Sequence, residues 1–456
     1  MHAEYASLCA EGKPAARAIS AQLRQQLREF VAPLLAELAP RLDARLLRTF
    51  THLLEVIVSF RHRQHGLRLS ELGGYLLTAE HAPAGTKRLS NLLRSPHWTH
   101  ALLSRFLWRQ ADRRVQELSA TGAEAVLLWD ESVLEKPESL HSEGLGSVRS
   151  SKAARLKRIK PGFFNPPGGR PVHVPGMAWL CLLVLGHSGP PTVALMRWWS
   201  NRASGRVPRK EPRQVRQAVL RWCARQWGRR VLHLWDRGYA GSPWLGLALT
   251  HQVRCVLRWP KRWKLRDATG ADRPAWQLTR GKRSWGTRYL RDPRRKELQK
   301  VGVVAVRLTH PDYAAPLWLV VARSQHRPEP WYLLTNEPIE TVEAAWQVVL
   351  AYARRWQVEM AFRYGKSELA MESPRLWRWD RRLNLLLVVT LVYAFLLSLL
   401  DERLELLRKW LLRHYCHRTG KRSRETPAPL YRLRAALSRL WLDFPDPRPL
   451  YGTNPG

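Results

Sequence analysis

Residues 231–239 read VLHLWDRGY. The first five form an apolar run of the length and composition of a buried strand, and the run leads straight into Asp236. An acid at that point lies at the carboxyl end of a strand, where open α/β sheets bind their ligands. The segment AEAVLLWDES (123–132) repeats the pattern, with an apolar run ending just before Asp130. Working outward, WLCLLVLG (179–186) and TVALMRWW (192–199) read as two more strands joined by the turn signal HSGP. Gln214 to Gln226 reads as a helix, and VRCVLRW (253–259) as a fifth strand. Three neighbouring strands, a helix, a strand, a helix and a strand make a mixed α/β sheet.

Residues 1–120 read as helical, with apolar positions three and four apart in QLRQQLREFVAPLLAELAPRL and ARLLRTFTHLLEVIVSF. In LRLSELGGYLLTAEHAPAGTKRLSNLLRSPHW (67–98) a short helix, a Gly/Pro turn and a basic helix follow one another. Thr86 would cap the second helix, with Lys87, Arg88 and Arg94 along it. This is either a helix-turn-helix able to enter a DNA groove or an ordinary hairpin with a solvated basic face. Between 260 and 340 the chain is basic and β-like, with VGVVAVRL, PLWLVVAR and WYLLTN as strands. A long helical stretch carrying Glu359 begins at Thr341. LNLLLVVTLVYAFLLSLL (383–400) has nearly the length of a membrane span. Its polar residues and flanking arginines point instead to a helix buried on all sides. Past Leu400 the chain is arginine-rich, and Pro427, Pro429, Pro445, Pro447, Pro449 and Pro455 make its last part irregular.

The 456 residues hold 76 Lys and Arg against 37 Asp and Glu, a net charge of +39. Such an excess repels itself unless a polyanion is present, and nucleic acid is the leading partner. The basic run SVRSSKAARLKRIK (147–160) either tracks DNA or only supplies charge. Five cysteines, with no CxxC pair, argue against a disulfide framework or a zinc module. The start MHAEYASLCAEGK lacks a signal pattern, so a cytoplasmic, nucleoid-associated protein is expected.

Asp130, Asp236 and Glu359 are the acids whose placement suggests chemistry. Three converging carboxylates need a counter-charge, and hard divalent cations such as Mg²⁺ take such ligands. Two ions activate water and stabilise a leaving oxygen in phosphodiester chemistry. Singly, each acid has a plainer reading, as a cap, a turn residue or a solvated helical group. In YARRWQVEMAFRYGK (352–366), Tyr352, Arg355, Glu359 and Lys366 fall on one helical stripe. Cations that bind phosphate then flank a metal-binding acid, unless the stripe is only an ion pair.

That segment resembles the signature of DDE insertion-sequence transposases whose third acid lies in a Y-R-E-K pattern. HLWDRGYAGSPWL is similar to the family's D-R-G-Y motif, and LLWDESVLEKPES to its first-acid motif, D-x-S/T followed by a Lys. The resemblance covers roughly residues 120–400. It implies an RNase H-like fold, with residues 121–259 and 341–412 as the catalytic domain and 260–340 as a β-rich insertion. An all-α N-terminal region (1–120) would precede it and a helical basic tail (413–456) would follow. Asp130, Asp236 and Glu359 would ligate two Mg²⁺ ions, with Mn²⁺ able to substitute. Arg355 and Lys366 would contact DNA phosphates and Tyr352 would position that backbone. Arg237, Gly238 and Tyr239 would shape the loop of the second acid, Arg237 and Tyr239 touching DNA. Lys87, Arg88 and Arg94 would read the element's ends. Glu131 beside Asp130 either tunes the metal site or points away. Trp285, Trp318, Trp331 and Trp356 either pack or stack on a base. The expected activity is metal-dependent cleavage and strand transfer of DNA by a homodimer or larger assembly. The alternatives are an RNase H-like nuclease without strand transfer and a catalytically idle DNA-binding protein.

Overall fold

The computed structural model describes residues 12–136, 138, 140–153, 171–291, 298–324, 329–416 and 430–445. Among them five helices precede the sheet: α1 (Lys13–Leu38), α2 (Ala44–Ser59), α3 (Leu69–Leu76), α4 (Ala82–Arg94) and α5 (His100–Ala120). In α1 the residues Ile19, Leu23, Leu27, Val31, Leu34 and Leu38 recur every three or four positions and are buried, the stripe that lets a helix dock. α3 and α4 cross at glycines, since a Cβ on Gly73 would lie 2.6 Å from the Ala82 carbonyl oxygen. Thr86 is not the cap of α4. Pro83 sits in the first turn, a position proline favours, and the helix begins four residues earlier, with His81 as its N-cap. The Thr86 hydroxyl instead donates to the carbonyls of Ala82 (2.8 Å) and Leu69 (3.1 Å).

The sheet starts with β1 (Ala125–Glu135), β2 (Gly146–Arg149), β3 (His173–Leu185) and β4 (Thr192–Trp199). Helix α6 (Pro212–Trp227), β5 (Val231–Trp235), α7 (Ser242–Thr250) and β6 (Arg254–Arg258) follow. β3 runs antiparallel to β1 and β4, while β1, β5 and β6 are parallel. This is the RNase H-like mixed sheet. β7 (Lys264–Arg266), β8 (Asp272–Pro274), a short α8 (Ala275–Leu278), β9 (Gly286–Arg291), β10 (Leu298–His310), β11 (Tyr313–Ser324) and β12 (Trp331–Thr335) come next. β12 pairs antiparallel with β6, Leu334 opposite Leu257. The β-rich segment therefore prolongs the same sheet, in the order β6-β12-β11-β10.

β1 does not stop before Asp130. It pairs with β3 from Val126↔Leu185 to Glu135↔Gly176, with Asp130 opposite Cys181. Its parallel ladder with β5 ends at Leu128↔Leu234. Beyond that point one edge of β1 is uncovered by β5, and Asp130 lies there.

After the sheet come α9 (Val342–Ala353), α10 (Trp356–Ser367), α11 (Trp379–Ser398), α12 (Glu405–Tyr415) and α13 (Leu430–Asp443). The Thr341 side chain caps α9 by accepting from Ala344 N–H at 3.1 Å. The expected single helix through Glu359 is broken at Arg354 and Arg355. The Arg354 guanidinium donates to the carbonyls of Gly186 and, at 2.8 Å, Gly189 in the β3–β4 turn. Tyr352 and Glu359 thus belong to different helices.

Helix α11 is long and apolar enough to span a membrane, yet 83% of its most apolar window is buried inside the protein. It packs on α2, α4, α5 and β4 and joins the N-terminal helices to one face of the sheet in a continuous core. α6 and α7 cover the other face. Past Leu400 the chain forms helices α12 and α13, the second of which lies within the last part expected to be irregular. Buried Arg434 of α13 donates to the carbonyls of Phe60 (2.6 Å) and Glu368 (2.7 Å), tying α2 to the end of α10. Residues 154–160 of the basic run, and Pro427, Pro429, Pro447, Pro449 and Pro455, lie outside the described residues.

Candidate catalytic site at the sheet edge

Successive residues of a strand point to opposite faces, so Asp130 and Glu131 part company. Glu131 turns to α6, where Arg216 grips it with Nε–Oε1 and Nη2–Oε2 distances of 2.5 and 2.7 Å. It is an anchored structural acid rather than a fourth carboxylate at the site. Tyr239 completes that anchor: Arg216 lies 4.8 Å over its ring, and its hydroxyl donates to Glu131 at 3.4 Å. Expected among the DNA contacts, Tyr239 is only 3% exposed and packs against Trp129 and Trp244. Burial corrects that assignment and makes Tyr239 the support of the loop above it.

Asp236 follows β5 directly and caps the turn Arg237–Tyr239, its Oδ1 accepting from Gly238 N–H at 2.8 Å. A Cβ on Gly238 would stand 3.0 Å from that oxygen, so glycine lets the loop close on the carboxylate. Arg237 is exposed and reaches Glu329 at 3.9 Å.

From α10 the third acid arrives through an arginine. Arg355 Nη1 lies 3.1 Å from Asp130 Oδ2, and its Nη2 pairs with Glu359. Asp130 is held up to about 7 by burial first and by the charge of Asp236 second, with Arg355 opposing. A carboxyl that resists ionisation beside a second acid marks a surplus of negative charge. Among the described residues no three acidic, thiol or imidazole groups stand close enough together to cage a metal. The donor set, all hard carboxylate oxygens, nevertheless fits a divalent cation once Glu359 leaves Arg355.

Lys366 ends the same helix, and its Nζ donates to the Ser132 hydroxyl at 2.9 Å and the Ser151 hydroxyl at 3.3 Å. Glu135 fixes Ser151 there, accepting from its backbone and hydroxyl at 2.8 Å each. Lys136 is fully buried. Its Nζ donates to the Glu372 carbonyl at 2.9 Å and pairs with Glu138 at 3.1 Å; burial lowers it to about 8. It braces the strand and does not face the acids' edge. Gly365 sets the height of α10, because an added Cβ would meet buried Trp179 at 2.8 Å and Met371 at 3.1 Å. Gly365→Ala is expected to destabilise the fold by about 1–3 kcal/mol. It should also cost cleavage more than the stability loss explains, which denaturant melts read beside activity would show.

Tyr352 is buried and meets Trp331 edge-on at 5.2 Å. Burial raises its pKa, and the charges of Arg355 and Arg258 beside it oppose that rise. Its burial keeps it from lying open to a DNA backbone and leaves it beside Arg355. Arg258, over Trp331 at 5.9 Å, and Arg216 were not legible from sequence, since nothing near them marks them out. Trp356 and Trp285 are exposed, and Trp318 is partly buried. Lys87, Arg88 and Arg94 are exposed on α4. Asn384 of α11 fixes the end of that helix, donating to Leu93 O at 3.4 Å and accepting from His100 N–H at 2.8 Å.

No curated protein matches the chain. Residues 209–395 match the family described as the transposase DDE domain. The matched span includes Asp236 and Glu359 and begins after Asp130. Nuclease and transposition chemistry on DNA with divalent metal ions is general to that family. Over residues 209–395 the chain is similar to the transposase DDE domain, and its mixed sheet with acids at the sheet edge agrees with that likeness.

Proposed function

We propose that the protein binds the terminal inverted repeats of its own insertion sequence, cuts DNA there and joins the freed end to a target. The observation that carries this reading is Arg355 bridging Asp130 of β1 and Glu359 of α10, beside Asp236. Asp130, Asp236 and Glu359 would hold two Mg²⁺ ions, with Mn²⁺ substituting. Bound there, the ions would activate a nucleophilic oxygen and stabilise the leaving one. Arg355 is the group that must move: it neutralises the acids without metal and is free to take a phosphate once metal replaces it. Lys366 and Arg237 would hold neighbouring phosphates, and Tyr352 would orient Arg355. The exposed face of α4 would read the end sequence, docked to the catalytic core through Asn384. A homodimer or larger assembly would bring two ends together.

The test is product analysis on DNA carrying the element's ends, with Mg²⁺ and with EDTA. Metal-dependent nicking at the ends followed by covalent joining is expected. Cutting without joining would leave a nuclease; binding without cutting under any metal would leave a DNA-binding protein. The fixing of α4 gives a second expectation. Arg88→Ala with Arg94→Ala should weaken end binding and flatten its dependence on salt by about two phosphates' worth. Anisotropy titrations across salt concentrations measure that slope.

A further inference from the structure

Several arginines drawn into this protein have something to hold. Arg216 grips Glu131, Arg354 takes the carbonyls of Gly186 and Gly189, and Arg382 donates to the Glu143 carbonyl at 2.8 Å. Arg197 on β4 is different. It is half-buried and has no hydrogen-bond or ion-pair partner among the described residues. Burial alone pulls its pKa down, with no acid opposing. Lys210 is half-buried as well, and it is lowered by burial first and by the Arg197 charge second. Its backbone N–H donates to the Ser200 carbonyl at 2.9 Å, which folds the loop after β4 back beside the end of that strand. His100, the first residue of α5, joins the group. Burial lowers its pKa, Asp380 opposes, and the charges of Arg197 and Lys210 add to the fall. Its Nδ1 is buried and meets no hydrogen-bond partner among the described residues.

Two desolvated cations that repel each other are unfavourable until an anion joins them. Asp380, the acid that His100 feels, is exposed and forms no ion pair with Arg197 or Lys210 among the described residues. The strand register sets the group apart from the catalytic acids. Glu131 lies opposite Leu180, and Leu180 opposite Arg197. Residues in one such row share a face, so Arg197 stands on the α6 side, about 10 Å along the sheet from Glu131 and on the face away from Asp130. The group adjoins α4 instead. Asn384 bonds both Leu93 O and His100 N–H, which joins the end of α4 to the start of α5. Arg381, next to Asp380, feels the charge of Arg94 on α4.

We propose that Arg197, Lys210 and His100 form a phosphate site on the α6 side of the sheet, separate from the three acids, and that its occupant is a backbone phosphate of duplex DNA lying against α4. A guanidinium takes two phosphate oxygens at once and an ammonium binds as a point charge beside it, so one anion offsets both cations. A duplex presents such oxygens at every nucleotide, whatever its sequence. The inference rests on the DNA binding proposed above.

The test uses the full chain with two duplexes, one carrying the element's ends and one of scrambled sequence. Arg197→Gln with Lys210→Gln is expected to weaken both roughly tenfold and to lower the salt slope on each by about two. Lys210→Gln alone should lower the slope by about one, which keeps the site testable if the double variant folds poorly. A loss confined to the end-carrying duplex would make the group a reader of sequence and overturn the phosphate assignment. Melting in inorganic phosphate at fixed ionic strength separates the sources of the anion. The wild type should melt higher in phosphate than in chloride, and the double variant should show a smaller rise. That pattern with unchanged duplex affinity would make the occupant a free anion and overturn the DNA assignment. If neither duplex affinity nor the phosphate response changed, the site would fall, while a loss of end binding in Arg88→Ala with Arg94→Ala would leave the transposase reading standing. Failure of the wild type to bind either duplex at low salt would overturn both readings together.

Discussion

Asp236→Asn is expected to lower strand cleavage by about 10³-fold or more, the scale on which a removed transition-state stabiliser shows, while binding of the element's ends persists. The structure makes this variant a clean one. The asparagine oxygen can still accept from Gly238 N–H, as Asp236 does at 2.8 Å, so the turn Arg237–Tyr239 keeps its cap. The lost charge is also one that Asp130 resists, since Asp236 helps to hold Asp130 up near 7. Without metal the variant should therefore melt no lower than the wild type. Glu359→Ala should match its loss of cleavage for a related reason. Arg355 would lose its partner on α10 and close onto Asp130, 3.1 Å away. Metal-dependent cleavage near wild-type rates in either variant would sink the ligand assignment. A fall in melting temperature equal to the fall in activity would show that the acid only held the fold.

The strands were legible because each is an apolar run bounded by turn residues. Thr192–Trp199 and Val231–Trp235 coincide with the runs read from sequence. What composition could not show was the partner. β1 continues through Asp130 because β3 is long enough to pair with it to Glu135, although DESVLE carries no unbroken apolar run. The helix break at Arg354 involves no Gly or Pro; the arginine is drawn to carbonyls of a distant turn. Sequence left Glu131 either tuning the site or pointing away, and only the packing of Arg216 decides for the opposite face. The acids were readable because a carboxylate after a strand is conspicuous. That Arg258 and Arg355 lie beside the phenol of Tyr352 becomes visible only when β6 and α9 are packed together. Tyr239 was misread for the converse reason, since a tyrosine in a loop motif shows nothing of its burial until the tryptophans beneath it are placed.

Affinity for Mg²⁺ or Mn²⁺ is expected to fall about tenfold for each pH unit below about 7 and to level off above it. The sign follows from Asp130. Burial and the Asp236 charge raise its carboxyl to about 7 in the folded protein, against about 3.9 in an unfolded chain. Between those values the folded state holds a proton that the unfolded state has released. A group raised in this direction lends stability at low pH that is lost as pH rises through the window. The metal-free protein should accordingly lose melting temperature between about pH 4 and about pH 7, unlike a salt-bridged carboxylate, which would gain. Metal reverses the balance, because the ion binds only the ionised carboxylate and must displace that proton. Calorimetric titrations in two buffers of different ionisation enthalpy read the displacement directly, with close to one proton released per site near pH 6 and almost none near pH 8. Asp130→Asn would abolish both the proton release and the pH dependence of melting. If that variant kept the wild-type proton release, the titrating group would lie elsewhere, and Arg355 would be guarding a different acid from the one that receives the metal.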